Sequence, residues 1–132
     1  MLAPYLAVAL GGSLGAVARY MTILLAQDYF SLRFPYATLI VNVLGSFVAG
    51  FILHCFVERW SAGEYWRLLI FTGFLGAYTT FSSFAAESLL LYRSGQWLKF
   101  GLNIVLNNVG SLAMVLLGAL LAQCILSYSH QP

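Results

Sequence analysis

The sequence predicts an all-α integral membrane protein with four transmembrane helices in each subunit. Of the 132 residues, 61% are hydrophobic and only 8% are charged, and the mean hydropathy is +0.88. About a quarter of the residues of a soluble domain are charged. The apolar residues form four segments, each close to the roughly 20 residues that cross a bilayer. The net charge of +2 is too small for a nucleic-acid-binding protein, which needs a clustered basic patch.

The apolar segments place the helices at about residues 4–26, 36–57, 68–92 and 100–126. The polar connectors between them are short, and short connectors favour antiparallel neighbours within one bundle. We therefore expect residues 1–132 to form a single transmembrane domain.

The third segment contains an unusual stretch at residues 72–84, with the sequence TGFLGAYTTFSSF. Gly73 and Gly76 weaken a helix, and four hydroxyl side chains follow closely, namely Thr79, Thr80, Ser82 and Ser83. In hydrocarbon every backbone N–H and C=O needs a partner, so a broken helix is tolerated only where protein or water covers it. The stretch therefore predicts a third helix that is broken near residues 76–80 and lines a site or a pathway.

The first segment carries small residues and one arginine. Gly11 and Gly15 form a GxxxG pair, which lets another helix approach closely. Residues 11–15 also match the GxSxG motif of a hydrolase, but that motif needs a preceding strand, so we favour helix packing. Arg19 lies near the end of the helix, where it either extends to the membrane surface or draws anions into a vestibule.

The second and fourth segments carry amides among aliphatic residues. Asn42 either bonds a neighbouring helix or offers an N–H donor to something that passes through the protein. Asn103, Asn107 and Ser111 follow i, i+4, i+8 spacing on one face of the fourth helix. Three polar side chains in register are costly in a membrane unless they meet partners or water, so they favour a polar track.

Beyond the predicted break, Thr80, Ser83 and Glu87 make one face of the third helix polar. An acid within a membrane span is expensive, which makes Glu87 a functional candidate. Phe81 and Phe84 occupy an adjacent face, and the residues alone favour packing for these two rings.

The distribution of Lys and Arg barely specifies an orientation in the membrane. In a four-span protein Arg59 and Arg67 lie on the side of the termini, whereas the other side holds Arg33, Arg93 and Lys99, with Arg19 as a fourth candidate. Because the excess of Lys and Arg marks the cytoplasmic side, two against three or four is a weak bias. Dual topology is therefore a hypothesis that the sequence supports, with two opposed copies acting like the inverted repeats of transporters.

Several segments together resemble the Fluc (CrcB-type) fluoride channel family. They are GGSLGA at residues 11–16 followed by Arg19, TLIVN at 38–42 continuing to Gly50, GFLGAYTTFSSF at 73–84, and GSL at 110–112. The Thr-Thr-Phe-Ser-x-Phe signature at 79–84 is specific, and the similarity covers nearly the whole chain in matching order.

The resemblance implies a dual-topology antiparallel homodimer with two pores, which exports cytoplasmic fluoride passively across the bacterial inner membrane. It implies a structural sodium ion at the centre, bound by the backbone carbonyls of Gly76 and Thr79. The fluoride pathway that the resemblance implies comprises Asn42, Phe81, Phe84, Asn103, Asn107 and Ser111. The polar face of the third helix adds Thr80 and Ser83 to the expected pathway, and Arg19 and Glu87 are candidates for vestibule or supporting charges. The chain departs from the usual family pattern at Ala77, Tyr78 and Ser83.

Two other classes of membrane protein compete with this interpretation. A small proton-coupled exporter of drugs or cations would also be a dual-topology dimer, but it needs an acid in the first helix, and segment 4–26 has none. A non-conducting structural protein would leave the polar track unexplained. An enzyme is not expected, because no nucleophile–base or metal-ligand set is present in the sequence.

Overall fold

The computed structural model describes residues 2–30, 33–58 and 63–128, and all regular structure within these ranges is helical. Helix α1 spans Ala3–Tyr29 and helix α2 spans Tyr36–Glu58. Arg59, which entered the orientation argument, lies outside the described residues.

The remaining helices are compound. Helix α3, at residues 64–78, begins as Glu64–Arg67, continues as a π-helical segment at Leu68–Leu75 and ends as Gly76–Tyr78. Helix α4 spans Phe81–Arg93. Helix α5, at residues 97–128, consists of Trp97–Val105, a π-helical segment at Leu106–Gly110, and Ser111–Tyr128.

Four stretches in the described residues are long and apolar enough to cross a membrane, which confirms the predicted number of spans. They are Ala3–Tyr29, Tyr36–Phe56, Glu64–Arg93 and Trp97–Ser127. The helices extend a few residues beyond the apolar segments, because backbone hydrogen bonding continues where side chains become polar. One consequence is that exposed Asp28 falls in the last turn of α1, so the first helix does carry an acid, at its end.

Between α3 and α4 the backbone leaves the helical conformation at two residues. Thr79 has φ −77° and ψ 157°, and Thr80 has φ −149° and ψ 110°. Both are extended conformations. The two glycines that we expected to weaken this helix lie within helical turns, Gly73 in the π-helical segment and Gly76 in the turn that follows.

Gly73 instead serves the close approach of α3 to α1. A Cβ atom on Gly73 would lie 2.8 Å from the carbonyl oxygen of Val8. From the other side, a Cβ on Gly11 would overlap the carbonyl oxygen of Leu69, and one on Gly15 would overlap that of Phe74. The prediction that the GxxxG pair admits another helix is confirmed, and that helix is α3 of the same chain.

A second glycine contact joins α2 to the C-terminal half of α5. A Cβ on Gly50 would overlap the carbonyl oxygen of Val115, and one on Gly118 would overlap that of Phe47. In both helix pairs the glycines thus let the backbones of the two helices come into close contact. Helix α4 then packs against the N-terminal part of α5 and against α2, and the polar side chains meet there.

Candidate functional site

The side chain of Asn42 on α2 holds the second of the two extended residues, Thr80. Its Oδ1 accepts a hydrogen bond from the Thr80 backbone N–H at 2.8 Å, and its Nδ2 donates to the Thr80 carbonyl oxygen at 3.1 Å. Both backbone groups of Thr80 are therefore satisfied by one amide, as a neighbouring strand would satisfy them. Unpaired backbone groups cost several kcal/mol in hydrocarbon, so Asn42 makes the interruption of the helix tolerable.

The side chain of Thr80 caps the helix that follows. Its Oγ1 accepts from the Ser83 backbone N–H at 3.2 Å and donates to Ser83 Oγ at 3.0 Å. A threonine that accepts from the third residue of a helix is a favoured N-cap. The pattern Thr80-x-x-Ser83 thus starts α4 directly after the extended residues.

A chain of amide hydrogen bonds continues from Asn42 along α5. Asn42 Nδ2 also donates to Asn107 Oδ1 at 2.9 Å, and Asn107 Nδ2 donates to Asn103 Oδ1 at 2.9 Å and to the Asn103 carbonyl at 3.0 Å. Asn103 Nδ2 donates to Ser88 Oγ at 3.0 Å, and Ser88 donates in turn to the Phe84 carbonyl at 2.8 Å. Asn103 is completely buried, so this chain joins α2, α4 and α5 inside the bundle.

Glu87 lies one helical turn after Phe84 on α4. The Thr38 hydroxyl on α2 donates to Glu87 Oε1 at 2.6 Å. The second oxygen, Oε2, is buried and has no hydrogen-bond partner within the part of the chain that the structure describes. One carboxylate oxygen is thus fixed to α2 while the other has acceptor capacity to spare.

Beside the extended residues lies a cavity of about 340 Å³, which we call the groove. Its lining combines amides, hydroxyls and two phenylalanine rings: Asn42, Ser46, Thr79, Thr80, Phe81, Phe84, Asn107, Asn108, Ser111 and Leu112. Phe81 is 74% exposed and Phe84 only 7%, and their ring centroids lie 5.2 Å apart at 62°, an edge-on arrangement.

The π-helical segment of α5 explains how two adjacent amides reach the groove. A π turn holds one more residue than an α turn, so it shifts the facing side chains by about one position. Asn107 and Asn108 both lie in this segment, and both line the groove together with Ser111.

A second, wider cavity of about 790 Å³ opens at the other end of α4, and we call it the basin. Its lining includes Glu87 and the cationic residues Arg33 and Lys99, together with Gln27 and Gln96. The Lys99 ammonium donates to Gln96 Oε1 at 2.6 Å. The basin thus gathers the described polar connectors at one end of the bundle.

Polar residues, with Phe84 as the one aromatic member, run from the groove to the basin in one-turn steps on three helices. On α2 they are Ser46, Asn42 and Thr38; on α4 Thr80, Phe84 and Glu87; on α5 Ser111, Asn107, Asn103 and Lys99. Steps of three to four residues advance about 5 Å along a helix, so the three rows keep in register. We call this arrangement the polar column.

The structure thus gathers most of the predicted pathway residues. The groove brings together Asn42, Thr80, Phe81, Phe84, Asn107 and Ser111, whereas Ser83 and Asn103 stand behind it as hydrogen-bond partners and Glu87 faces the basin. Arg19 is half-buried on α1 and lines neither cavity.

Sequence reasoning missed Thr38, Ser46, Ser88 and Asn108. Thr38, Asn42 and Ser46 follow the same i, i+4, i+8 spacing as the predicted track on α5, so that spacing was the signal for two of them. Ser88 carried no such signal, because it is recognised only through its bond to Asn103.

The backbone carbonyls are the groups in this site that could hold a metal ion. No group of three or more His, Cys, Asp or Glu side chains suited to a metal occurs among residues 2–30, 33–58 and 63–128. In an α-helix the Gly76 carbonyl would accept from the Thr80 N–H, but that N–H donates to Asn42. The Thr79 carbonyl would accept from the Ser83 N–H, which donates to Thr80 Oγ1. Both carbonyls have therefore lost their regular helical donors.

Comparison with known proteins identifies the family. A sequence model of the family described as "CrcB-like protein, Camphor Resistance (CrcB)" matches residues 6–119. A Legionella pneumophila (strain Philadelphia 1) protein named "Fluoride-specific ion channel FluC" is 59% identical over 131 residues, covering 99% of this chain and 97% of that protein. A protein of the same name from Sulfurihydrogenibium sp. is 42% identical over 119 residues, covering 90% of this chain and 96% of the relative.

These matches extend over nearly the whole chain, including the extended residues, the groove and the polar column, and they confirm the resemblance identified from the motifs. Together with the four apolar helices they establish a multi-pass membrane protein. The chain belongs to the CrcB-like family.

Proposed function

We propose that this protein is a channel that lets fluoride leave the bacterial cytoplasm passively across the inner membrane. The family membership and the name shared by its relatives support this function, which is that of a channel and not of an enzyme. The main observation behind the proposal is the polar column. It is a series of hydrogen-bonding side chains that extends through an apolar bundle from the groove to the basin.

The chemistry of the groove suits a small and strongly hydrated anion. A pore for such an ion must replace its water with donors without holding it too tightly. Hydroxyl and amide groups supply donors along the column: Asn42, Thr80, Ser83, Asn103, Asn107 and Ser111. Phe81 and Phe84 add ring edges, which carry partial positive charge.

The charged residues near the ends of the column fit the same function. Lys99 and Arg33 line the basin and would raise the local anion concentration there, as focused positive charge does. Glu87 is tied to Thr38 and serves as a supporting charge in the wall. Arg19 is half-buried on α1 and lines neither the groove nor the basin, so its proposed role as a vestibule charge rests on the sequence alone.

The working unit of the proposal is an antiparallel homodimer with two pores and a structural sodium ion between the subunits. The weak bias of the basic residues supports dual topology. Gly76 is exposed and Thr79 half-buried, and their carbonyls have lost their helical donors, so a second copy and a cation would satisfy groups that lipid cannot. Carbonyl oxygens are ligands that hard cations prefer. The sodium ion would offset part of the cost of an anion in the membrane.

The test is fluoride release from liposomes that contain the purified protein, followed with a fluoride electrode. We expect release down the fluoride gradient without a proton gradient and with little passage of chloride. Exchange of organic cations for protons, with no fluoride release, would support the exporter instead.

The same assay tests the pathway residues. Replacing Asn42, Phe81 or Phe84 by Leu should slow release at least about tenfold, the effect of losing one interaction with a charged ion. Size-exclusion chromatography checks that each variant still assembles as the wild type does. Unchanged release in all three variants would refute this pathway.

A further inference from the structure

The amide hydrogens of Asn42 and Asn107 in the groove are already bonded to acceptors within the protein. Asn42 Nδ2 has two hydrogens and two acceptors, the Thr80 carbonyl and Asn107 Oδ1. Asn107 Nδ2 likewise has two acceptors, both on Asn103. An amide carries only two donors, so an ion bound by Asn42 or Asn107 would have to replace one of these acceptors.

The threonine hydroxyls of the groove are committed as well. Thr79 Oγ1 donates to the Leu75 carbonyl at 2.9 Å, and Thr80 Oγ1 donates to Ser83 Oγ at 3.0 Å. Each hydroxyl has a single hydrogen, so both threonines already donate the only hydrogen of their side-chain hydroxyl.

Two serines of the groove stand apart from this network. Ser46 on α2 and Ser111 on α5 both line the cavity and are half-buried, and neither hydroxyl has a hydrogen-bond partner within residues 2–30, 33–58 and 63–128. A serine within a helix commonly donates to a carbonyl one turn back, as Ser88 does to Phe84. The hydroxyls of Ser46 and Ser111 are free of that bond and share one cavity.

We propose that the Ser46 hydroxyl is a further direct ligand of the permeating anion, acting together with Ser111 in the same groove. The inference rests on the proposed function, since it names a further ligand within that pathway. Ser46 and Ser111 supply neutral O–H donors, which suit a small hard anion that must bind and leave again. Asn42 holds the extended backbone of Thr80, which lines the same groove as the two serines.

The experiment compares fluoride release from liposomes for the wild type, Ser46→Ala, Ser46→Thr and Ser13→Ala over a range of fluoride concentrations. Ser13 is an exposed serine on α1 whose hydroxyl donates to the Leu10 carbonyl, so its loss should leave release unchanged. Ser46→Ala should slow release about tenfold and raise the half-saturating fluoride concentration, and Ser46→Thr should restore both, because it keeps the hydroxyl. A purely structural role of Ser46 would change thermal stability and not half-saturation.

Release by Ser46→Ala equal to that of the wild type would overturn the inference and leave the channel function intact. No release by the wild type would overturn both. If Ser46→Ala fails to assemble, Ser46→Cys keeps the side-chain size with a weaker donor. Slower release by the cysteine variant would then support the inference, and wild-type release would overturn it.

Discussion

The two halves of the third span are held in different ways. Helix α3 lies against α1 through glycines, with Gly11 and Gly15 facing the backbone of Leu69 and Phe74. Helix α4 is held by side-chain hydrogen bonds, from Asn42 to Thr80, from Thr38 to Glu87 and from Asn103 to Ser88. The half away from the polar column is held by close packing, and the half beside the polar column is held by directional hydrogen bonds.

This difference shows what each kind of contact demands. Close backbone packing depends on the absence of a side chain and is indifferent to polarity. A hydrogen-bonded contact tolerates some change in volume but requires every donor and acceptor to be matched, because an unmatched group in the membrane has no water to replace its partner. Substitutions in the two halves should therefore destabilise the protein for different reasons.

The largest effect is expected at the glycine contact. In Gly15→Val the new Cβ overlaps the carbonyl oxygen of Phe74, which belongs to the backbone and cannot move aside. Overpacking of this kind costs at least about 1–3 kcal/mol, and we expect a large fall in the thermal unfolding temperature or loss of folded protein. Gly12→Val is the matched control, because a Cβ on Gly12 meets nothing within 4 Å. Equal stability of the two variants would contradict the packing account.

A smaller effect is expected at the hydrogen-bonded half. Asn42→Leu removes the partner of both backbone groups of Thr80, which should lower the free energy of unfolding by about 1–3 kcal/mol. Thermal unfolding in detergent measures the change. Asn108→Leu is the control for stability, since the Asn108 amide is exposed and donates only to Ile104 of its own helix. A stability loss shared by both variants would argue against a special role for the Asn42 contact.

The smallest effect is expected at the hydrogen bond between Tyr78 on α3 and Thr22 on α1, beside the glycine contacts. The Thr22 hydroxyl donates to the Ala18 carbonyl, so Tyr78 donates to Thr22 at 3.1 Å. Tyr78→Phe keeps the ring, which stacks 5.9 Å from Phe74, and should cost only about 0.5–1.5 kcal/mol. Tyr20→Phe, at an exposed position on α1, is the control. A loss larger than that of Asn42→Leu would reverse the comparison.

Much of the fold and part of the site could be predicted from local patterns. The four spans follow from the length of the apolar segments, and Gly11 with Gly15 predicted a close helix contact. Asn103, Asn107 and Ser111 were predicted from their spacing. The hydrogen-bond partners of each amide could not be predicted in that way. The partners of Asn42 lie 38 and 65 residues away along the chain, and spacing carries no information about such contacts.

The sequence by itself determined a four-span membrane protein and the faces on which its polar residues lie, because the length of an apolar run and the helical repeat are local properties of the chain. Only the tertiary structure decided which of the polar side chains form hydrogen bonds within the protein. It made Asn42 the support of the extended Thr80 and left the hydroxyls of Ser46 and Ser111 in the groove without a hydrogen-bond partner among the described residues. The reason is physical: a hydrogen bond depends on the distance and angle between two groups, and these are set only when the helices pack.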